Sequence, residues 1–290
     1  MPHVRNLIEY CVFRFFVSLF RCLPDSLVLL LLKKLLFFFG YICGIRKKVV
    51  IAQLKLCFPD KSEREIDDLV RKIYTELGTT VAEVFVFNDK YFEDKVELEG
   101  FEAIDTALGL GRGVIVATAH FGNWELGGKI IAKHHGSLKA IAKSQKNKQF
   151  NKYINESREQ AGIEVIDMKN ALKHIVTALK SNQIVAVLID QYAHRQGVEM
   201  DFLGHKTKTY TSIAQLALKY KTPVIMAFDV RDKIGKHRMT FHEPMIFDSL
   251  EFDEQNVLDV TKKINQVLEE YIVSYPHLWF WVHRKWRKLI

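Results

Sequence analysis

Cysteine is scarce in this chain, and its placement excludes two common uses. Only Cys11, Cys22, Cys43 and Cys57 occur in 290 residues. None forms a Cys-x-x-Cys pair, which argues against a disulfide framework or a zinc site. The pattern suits a reduced, cytoplasm-facing protein. Proline and glycine are also sparse, with 6 and 15 residues, and no low-complexity run or internal repeat appears. Extended disorder is therefore not expected. Also missing is a clean apolar run of the roughly 20 residues that a typical membrane span needs. The first run, residues 7–20, carries Glu9 and Arg14, and the second, 27–42, is broken by Lys33 and Lys34. No small-residue cleavage site follows, which argues against a signal peptide. Residues 1–45 therefore read as a hydrophobic, helical, membrane-anchoring segment. It is either one tilted span with snorkelling charges or two helices lying in the interface. A buried core hairpin is the bland alternative.

What is present points to a folded domain with an anionic partner. Apolar residues make up 48% of the chain, the net charge is +8 and the pI is near 9.1. A basic balance suits a membrane surface, a phosphorylated lipid or an acidic carrier protein. Nucleic acid is not expected, since neither zinc-finger spacing nor an RNP-like motif occurs. Much of the positive charge lies beside apolar or aromatic residues, which suits a lipid interface. After the anchor, residues 46–290 read as one domain.

Periodicity within that domain alternates. Ser62 and Glu65 form a capping box before a helical face of Ile66, Leu69, Val70, Ile73, Leu77 and Val81. Strands are expected at 96–99, 113–118, 138–142, 163–166, 184–189 and 223–229, with an edge strand at 238–242. The run 184–189 is continuously apolar, as in a strand buried on both faces. Helices fall between. The result is an α/β fold with a mixed, largely parallel sheet flanked by helices. Residues 192–210 read as a long loop, in which Phe202 and Leu203 are candidates to line an acyl tunnel and Lys206 to meet a phosphate. The tail, 279–288, mixes tryptophan with cations, as at a membrane interface or a phosphosugar headgroup, or else packs on the core.

The organising stretch is Ala119-His120-Phe121-Gly122-Asn123-Trp124-Glu125-Leu126. It stands where a strand ends and a helix begins, and the C-terminal ends of strands are where open α/β sheets gather their chemistry. Histidine takes and returns a proton near neutral pH. A carboxylate fixes its tautomer, and Glu125 can converge on His120 across a turn containing Gly122. Backbone N–H groups near Gly122, with Asn123, are candidates to stabilise an oxyanion. No serine or cysteine nucleophile is present, so the simplest chemistry is a base that activates another molecule's hydroxyl. Alternatively, His120 is a hydrogen-bonded core residue. Asp190, at the end of the run 184–189, orients a basic group or caps a turn, and Gln191 follows it at the site rim.

The motif His-Phe-Gly-Asn-Trp-Glu resembles the lysophospholipid acyltransferase superfamily, most closely the bacterial lipid A biosynthesis (lauroyl/myristoyl) acyltransferases. The resemblance extends in order through Arg46-Lys47-Lys48, Cys57-Phe58-Pro59, Leu77-Gly78, Glu83, Asp190-Gln191, Phe202-Leu203-Gly204, Thr222-Pro223-Val224 and 279–284. It implies an O-acyltransferase with His120 and Glu125 catalytic and with Lys143, Asn147 and Arg158 contacting substrate. Lys143-Ser144 stands where the family has Arg-Pro, and lysine offers no bidentate fork. No bound cofactor or metal is implied. The donor is acyl carrier protein or coenzyme A carrying the acyl thioester, and the acceptor is a lipid A precursor. The expected location is the inner membrane with the catalytic domain facing the cytoplasm. Alternatives are acylation of a phospholipid or another glycolipid and a non-catalytic lipid-binding protein. A metal hydrolase using His134 and His135 is weaker, because no ligand spacing emerges.

Overall fold

The computed structural model describes residues 2–232 and 235–289. The chain opens with α1 (Pro2–Arg21), α2 (Asp25–Phe37), α3 (Lys47–Cys57) and α4 (Glu63–Phe85). There follow β1 (Val96–Glu99), α5 (Ala103–Leu108), β2 (Val114–Thr118), α6 (Trp124–His135), β3 (Leu138–Ala142) and α7 (Lys148–Gln160). Next come β4 (Ile163–Asp167), α8 (Ala171–Lys180), β5 (Ile184–Leu188), β6 (Val198–Phe202), β7 (His205–Thr209) and α9 (Ser212–Tyr220). The last are β8 (Val224–Arg231), β9 (His237–Phe241) and α10 (Glu254–Ser274).

Seven strands form one sheet in the order β1-β9-β8-β2-β5-β3-β4. Only β8 and β9 pair antiparallel; the other neighbours are parallel. Side chains alternate across the sheet. Val114, Val116, Ile225 and Ala227 meet the buried faces of α5 and α6. Ile115, Ala117, Met226 and Phe228 meet α8, α9, α10 and part of α4. This is the expected mixed, largely parallel α/β architecture.

The capping box at α4 is present: the Glu65 amide donates to the Ser62 hydroxyl at 3.3 Å, and the Ser62 amide donates to Glu65 at 2.8 Å. Against this helix lies α2, with Val28 and Leu32 buried in the core. Its partner α1 lies on α7, where Phe13 meets Phe85 and Phe150 edge-on and Arg14 sits 4.8 Å over Tyr153. The outer faces remain apolar and exposed, through Leu7, Ile8, Phe15 and Leu19 on α1 and Leu30, Leu31 and Leu35 on α2. Among the described residues no single helix is long and apolar enough to cross a membrane. Residues Asp25–Ile42 and Lys47–Cys57 pass that test only as a pair bent by 81°.

Four local expectations change. Residues 192–210 are not a bare loop, because β6 and β7 pair as a hairpin. Its two turn residues, Leu203 and Gly204, both have positive φ, the geometry that joins twisted antiparallel strands. Phe202 points into the core against Trp279 and Trp286 rather than into a tunnel. The tail packs inside, with Trp279, Trp281 and Trp286 buried. Finally, β9 is not the edge strand, since β1 pairs outside it.

The α2–α4 contact depends on Gly78, where an added Cβ would lie 2.7 Å from the Leu32 carbonyl oxygen and from the Lys33 Cα. Backbone atoms on both sides leave no flexible group to yield. Gly78→Val should therefore destabilise the protein by about 1–3 kcal/mol. Circular-dichroism melting of the detergent-solubilised chain should show a lower transition. An unchanged transition would contradict this close approach.

Candidate active site

Register brings the two central residues together. Thr118 at the end of β2 is level with Leu188 at the end of β5, and the Ile189 amide donates to the Thr118 carbonyl at 2.9 Å. Two residues further on, His120 and Asp190 therefore stand side by side. The chain leaves β2 toward β3, past β5, and leaves β5 toward β8, past β2. Connections depart in opposite directions, so a crevice opens at this point of the sheet.

The turn after β2 is clamped from several sides. Gly122 has φ +57°, and an added Cβ there would lie 2.1 Å from the Asp229 carbonyl oxygen. Its amide donates to the Leu278 carbonyl at 3.0 Å, and the Phe280 amide donates to the His120 carbonyl at 2.9 Å. The tail thus runs alongside the turn, with Phe121 bridged to Trp279.

His120 Nδ1 lies 2.9 Å from Asp190 Oδ1. A carboxylate can only accept, so Nδ1 carries the proton and Nε2 keeps its lone pair. Asp190 is wholly buried, while the His120 side chain is 17% exposed. The other carboxylate oxygen of Asp190 accepts from the His120 amide at 3.2 Å and from the Trp279 indole N–H at 3.0 Å. Burial opposes the ionised form of Asp190, but the attraction of His120 and its hydrogen bond outweigh this and hold the pKa well below the usual range. Burial likewise opposes a charged His120, and the Asp190 charge and hydrogen bond outweigh it, so that pKa is raised.

The ring partner expected from Glu125 is therefore Asp190. At the start of α6, Glu125 turns instead to Arg158 on α7: Arg158 Nε donates to Oε2 at 3.0 Å, and a second guanidinium nitrogen meets Oε1. The pair forms a two-pronged bridge beside the dyad. The Trp124 indole N–H also donates to Glu125, at 3.3 Å, and the Trp124 ring stands edge-on to His120.

The expected oxyanion donors are engaged elsewhere. The Gly122 amide is taken by Leu278. Asn123 caps α6 by accepting from the Leu126 amide at 3.0 Å, and its Nδ2 donates to Glu83 at 3.1 Å. Of the remaining candidates, Lys143, Arg158 and Gln191 line the crevice with His120. Gln191 Nε2 reaches to 3.5 Å from His120 Nε2. Asn147 caps α7 and donates to the Asn6 carbonyl at 2.8 Å, which ties α1 down. Lys206 sits on the exposed hairpin, paired with Asp201 at 3.0 Å. Neither Asn147 nor Lys206 lines the crevice. His134 and His135 lie at the far end of α6 against Phe101. Among the described residues, no group of three histidine, cysteine, aspartate or glutamate side chains is placed to hold a metal ion.

The crevice continues into a cavity of about 1660 Å³. Where the run 184–189 was expected to be buried throughout, only Ile184 and Val185 of β5 are buried; the next three residues are part-exposed. Their side chains are part of the cavity wall, with Ala140, Ala227 and the α6 residues Gly127 and Gly128.

Behind the turn lies a buried ionic cluster, of which the sequence had marked only Glu83. Arg231 donates to Glu83 at 2.9 and 2.6 Å and to Glu76 at 2.6 Å. Asp229 accepts from the Asn123 amide at 2.8 Å and holds His237 Nδ1 at 3.0 Å. The opposite ring nitrogen of His237 is 3.3 Å from Glu83. Burial opposes the imidazolium, yet the hydrogen bond to Asp229 and the facing Glu83 carboxylate push its pKa up to about 9. A polar Asp229 inside the apolar run 224–230 was the available signal. Its partner His237 is eight residues on, across the β8–β9 pair, whereas the Glu83 carboxylate on α4 is 148 positions from Arg231 and cannot be paired by spacing.

The family model described as bacterial lipid A biosynthesis acyltransferase matches residues 1–288. The chain belongs to this family. A lipid A biosynthesis acyltransferase of Haemophilus influenzae is 22% identical over 291 residues, covering 96% of this chain and 91% of that protein. The lipid A biosynthesis palmitoleoyltransferase of Escherichia coli is 21% identical, covering 83% and 79%. A phosphatidylinositol mannoside acyltransferase of Mycobacterium tuberculosis (strain H37Rv) is 23% identical over 191 residues, covering 64% of this chain and 58% of that enzyme's length.

For this family member the buried cluster predicts a pH-dependent stability. The pKa of His237 is about 9 in the fold against an ordinary value of 6.5. Its contribution is fully present below about pH 6.5 and is lost as pH rises through about 9. His237→Gln should lower the melting temperature more at pH 6 than at pH 9.5. Melting curves of both proteins across that range test this, and a pH-independent difference would refute a charged His237.

Proposed function

We propose that the chain is an O-acyltransferase that moves a fatty acyl group from a thioester to a hydroxyl of a glycolipid, with a lipid A precursor as the favoured acceptor. The observation that carries this reading is the His120–Asp190 dyad opening into the cavity. His120 Nε2 removes the proton from the acceptor hydroxyl, and Asp190 stabilises the imidazolium that forms. The acceptor oxygen attacks the thioester carbonyl. Collapse of the tetrahedral intermediate expels the thiolate, which takes the proton back from His120. The developing oxyanion meets the Trp124 and Glu125 amides at the start of α6, which have no acceptor inside the helix, and the guanidinium of Arg158. Glu125 holds Arg158 there, so its role passes through the guanidinium.

The apolar part of the cavity wall, which includes Ala140, Ala186, Val187, Leu188 and Ala227, suits an acyl chain. The donor is acyl carrier protein or coenzyme A carrying the acyl thioester, and the net positive charge favours an acidic carrier. The exposed apolar faces of α1 and α2, with Arg46, Lys47 and Lys48 nearby in the chain, suit attachment to an anionic membrane, with the catalytic domain on the cytoplasmic side. A second acceptor is favoured by a specific observation: one relative of similar identity is named for acylating phosphatidylinositol mannoside. A different glycolipid would use the same dyad.

Mass spectrometry of lipid extracts from cells with and without the intact gene tests the proposal. Loss of one secondary acyl chain from lipid A, restored by the intact gene and not by His120→Ala, is the expected outcome. Asp190→Asn should reduce turnover by about 10³–10⁴-fold, because the tautomer is no longer fixed. An altered phospholipid or other glycolipid with unchanged lipid A would replace the acceptor. No lipid change, or substantial turnover by His120→Ala, would overturn the mechanism.

A further inference from the structure

The size and placement of the cavity do not match a single chain. At about 1660 Å³ it is large; ordinary ligand pockets hold roughly 300–1,000 Å³. Its wall includes consecutive residues of β3, Ala140, Ile141 and Ala142, and consecutive residues of β5, Ala186, Val187 and Leu188. Successive residues of a strand point to opposite faces of the sheet. A cavity bordered by all of them therefore has a chamber on each face. His120 and Gln191, at the strand ends, belong to the same wall.

The first chamber lies on the α6 side, where Ala140, Ala186 and Ala227 share a core with that helix. The second lies on the other side, where Ile141, Val187 and Ile189 share a core with Ile175 of α8, Ile213 of α9 and Ile264 of α10. Two features separate this second chamber from closed interior. Beside α8, the wall residues Met168 and Leu172 are 46% and 65% exposed. Apolar side chains left in water around a cavity suit a lipid ligand. On α10, Asn265 is a buried wall residue whose amide nitrogen has no hydrogen-bond partner among the described residues. Packed interiors seldom leave such a donor unmet, and a ligand oxygen would meet it.

The dyad assigns the occupants. Under the acyl-transfer reading, the thioester oxygen lies at the start of α6 beside Arg158, so the donor's chain descends into the first chamber. The acceptor hydroxyl meets His120 Nε2. Gln191 reaches to 3.5 Å from that nitrogen and, two residues after Ile189, stands on the second chamber's face. We propose that the second chamber is a binding site for an acyl chain of the acceptor lipid, with an oxygen of that lipid accepting from Asn265. One chain of each substrate is then held on opposite faces of the same sheet.

The assignment of donor and acceptor rests on the acyl-transfer reading, but occupancy of the chamber is measurable without turnover. A fatty acid carrying a terminal diazirine, irradiated with the detergent-solubilised full-length chain, should label two sets of peptides inside the fold. One set comes from α6 and β9, the other from α8, α9 and α10. A hexadecyl thioether of coenzyme A or of acyl carrier protein should suppress the first set and spare the second. Leu172→Glu, and Val187→Phe, which fills the second chamber, should lower labelling of the second set about tenfold and leave the first unchanged. In transfer assays these variants and Asn265→Leu should raise the acceptor KM about tenfold with the donor KM unmoved. Labelling confined to the first set, or a second set that the thioether displaces, would overturn the proposal. So would a rise in the donor KM alone. Leu172 lies on the surface, so its variant decides the matter if Val187→Phe does not fold. If both sets are labelled as described and no acyl transfer is found, the second lipid site stands and the functional reading falls.

Discussion

A carboxylate cut off from water must be answered by donors from the protein, and the site is organised around meeting that demand at Asp190. Its oxygens take the His120 ring, the His120 amide and the Trp279 indole. Together these bonds tie three parts of the chain. The first two require β2 and β5 to be neighbours in register. The third requires the tail to return across the top of the sheet. The tryptophans of the tail are thus core residues because one of them has a polar end to place beside the carboxylate. The same packing buries Lys285, so a single ionised oxygen pair accounts for the arrangement of three remote segments.

The turn that carries His120 is held by polar contacts because packing is locally incomplete. Cavity space beyond the dyad forfeits dispersion contacts that a filled interior would supply. Glu83, Asp229, Arg231 and His237 supply the missing constraint from behind. Through Asn123 they hold both the end of the turn and the start of α6. Buried ion clusters are weak sources of net stability but strong constraints on geometry when every partner is present. The cluster acts on a turn whose residues must keep one backbone conformation.

Much of this is legible in the sequence alone. Periodicity gave the strands, the capping box and the helical faces, because each is set by neighbours within one element. His120 stood out by its position at a strand end. Asp190 stood out too, as a residue that orients a basic group or caps a turn, but it was not paired with His120, because a five-residue spacing suggested Glu125 while the actual partner is level with it on a neighbouring strand, 70 positions away. Strand order decides that pairing, and no local pattern encodes strand order. The hairpin at β6 and β7 was missed because Leu203 is an unusual residue at positive φ, where asparagine or glycine announces such a turn. The tail was ambiguous because tryptophan beside lysine describes a membrane interface and a buried polar core equally well.

The run 184–189 shows why composition is a poor guide to empty space. Its apolar residues read as a strand buried on both faces, and the first two are. Ala186, Val187 and Leu188 are part-exposed and border the cavity, where alanine at positions 140, 186 and 227 leaves room that a larger side chain would take. Alanine in a strand is ordinarily a gap that neighbours close. Here α6 does not close it. Its first turn is committed to Asn123 and the ionic cluster, and at Gly127 and Gly128 it already rests on the sheet, where an added Cβ would meet Met239 and Ile163 at 3.3 Å. The helix is held at its polar end and in contact at its glycines, so it does not close on the space beside them. The constraint that fixes the turn carrying His120 therefore also fixes the helix that borders the cavity.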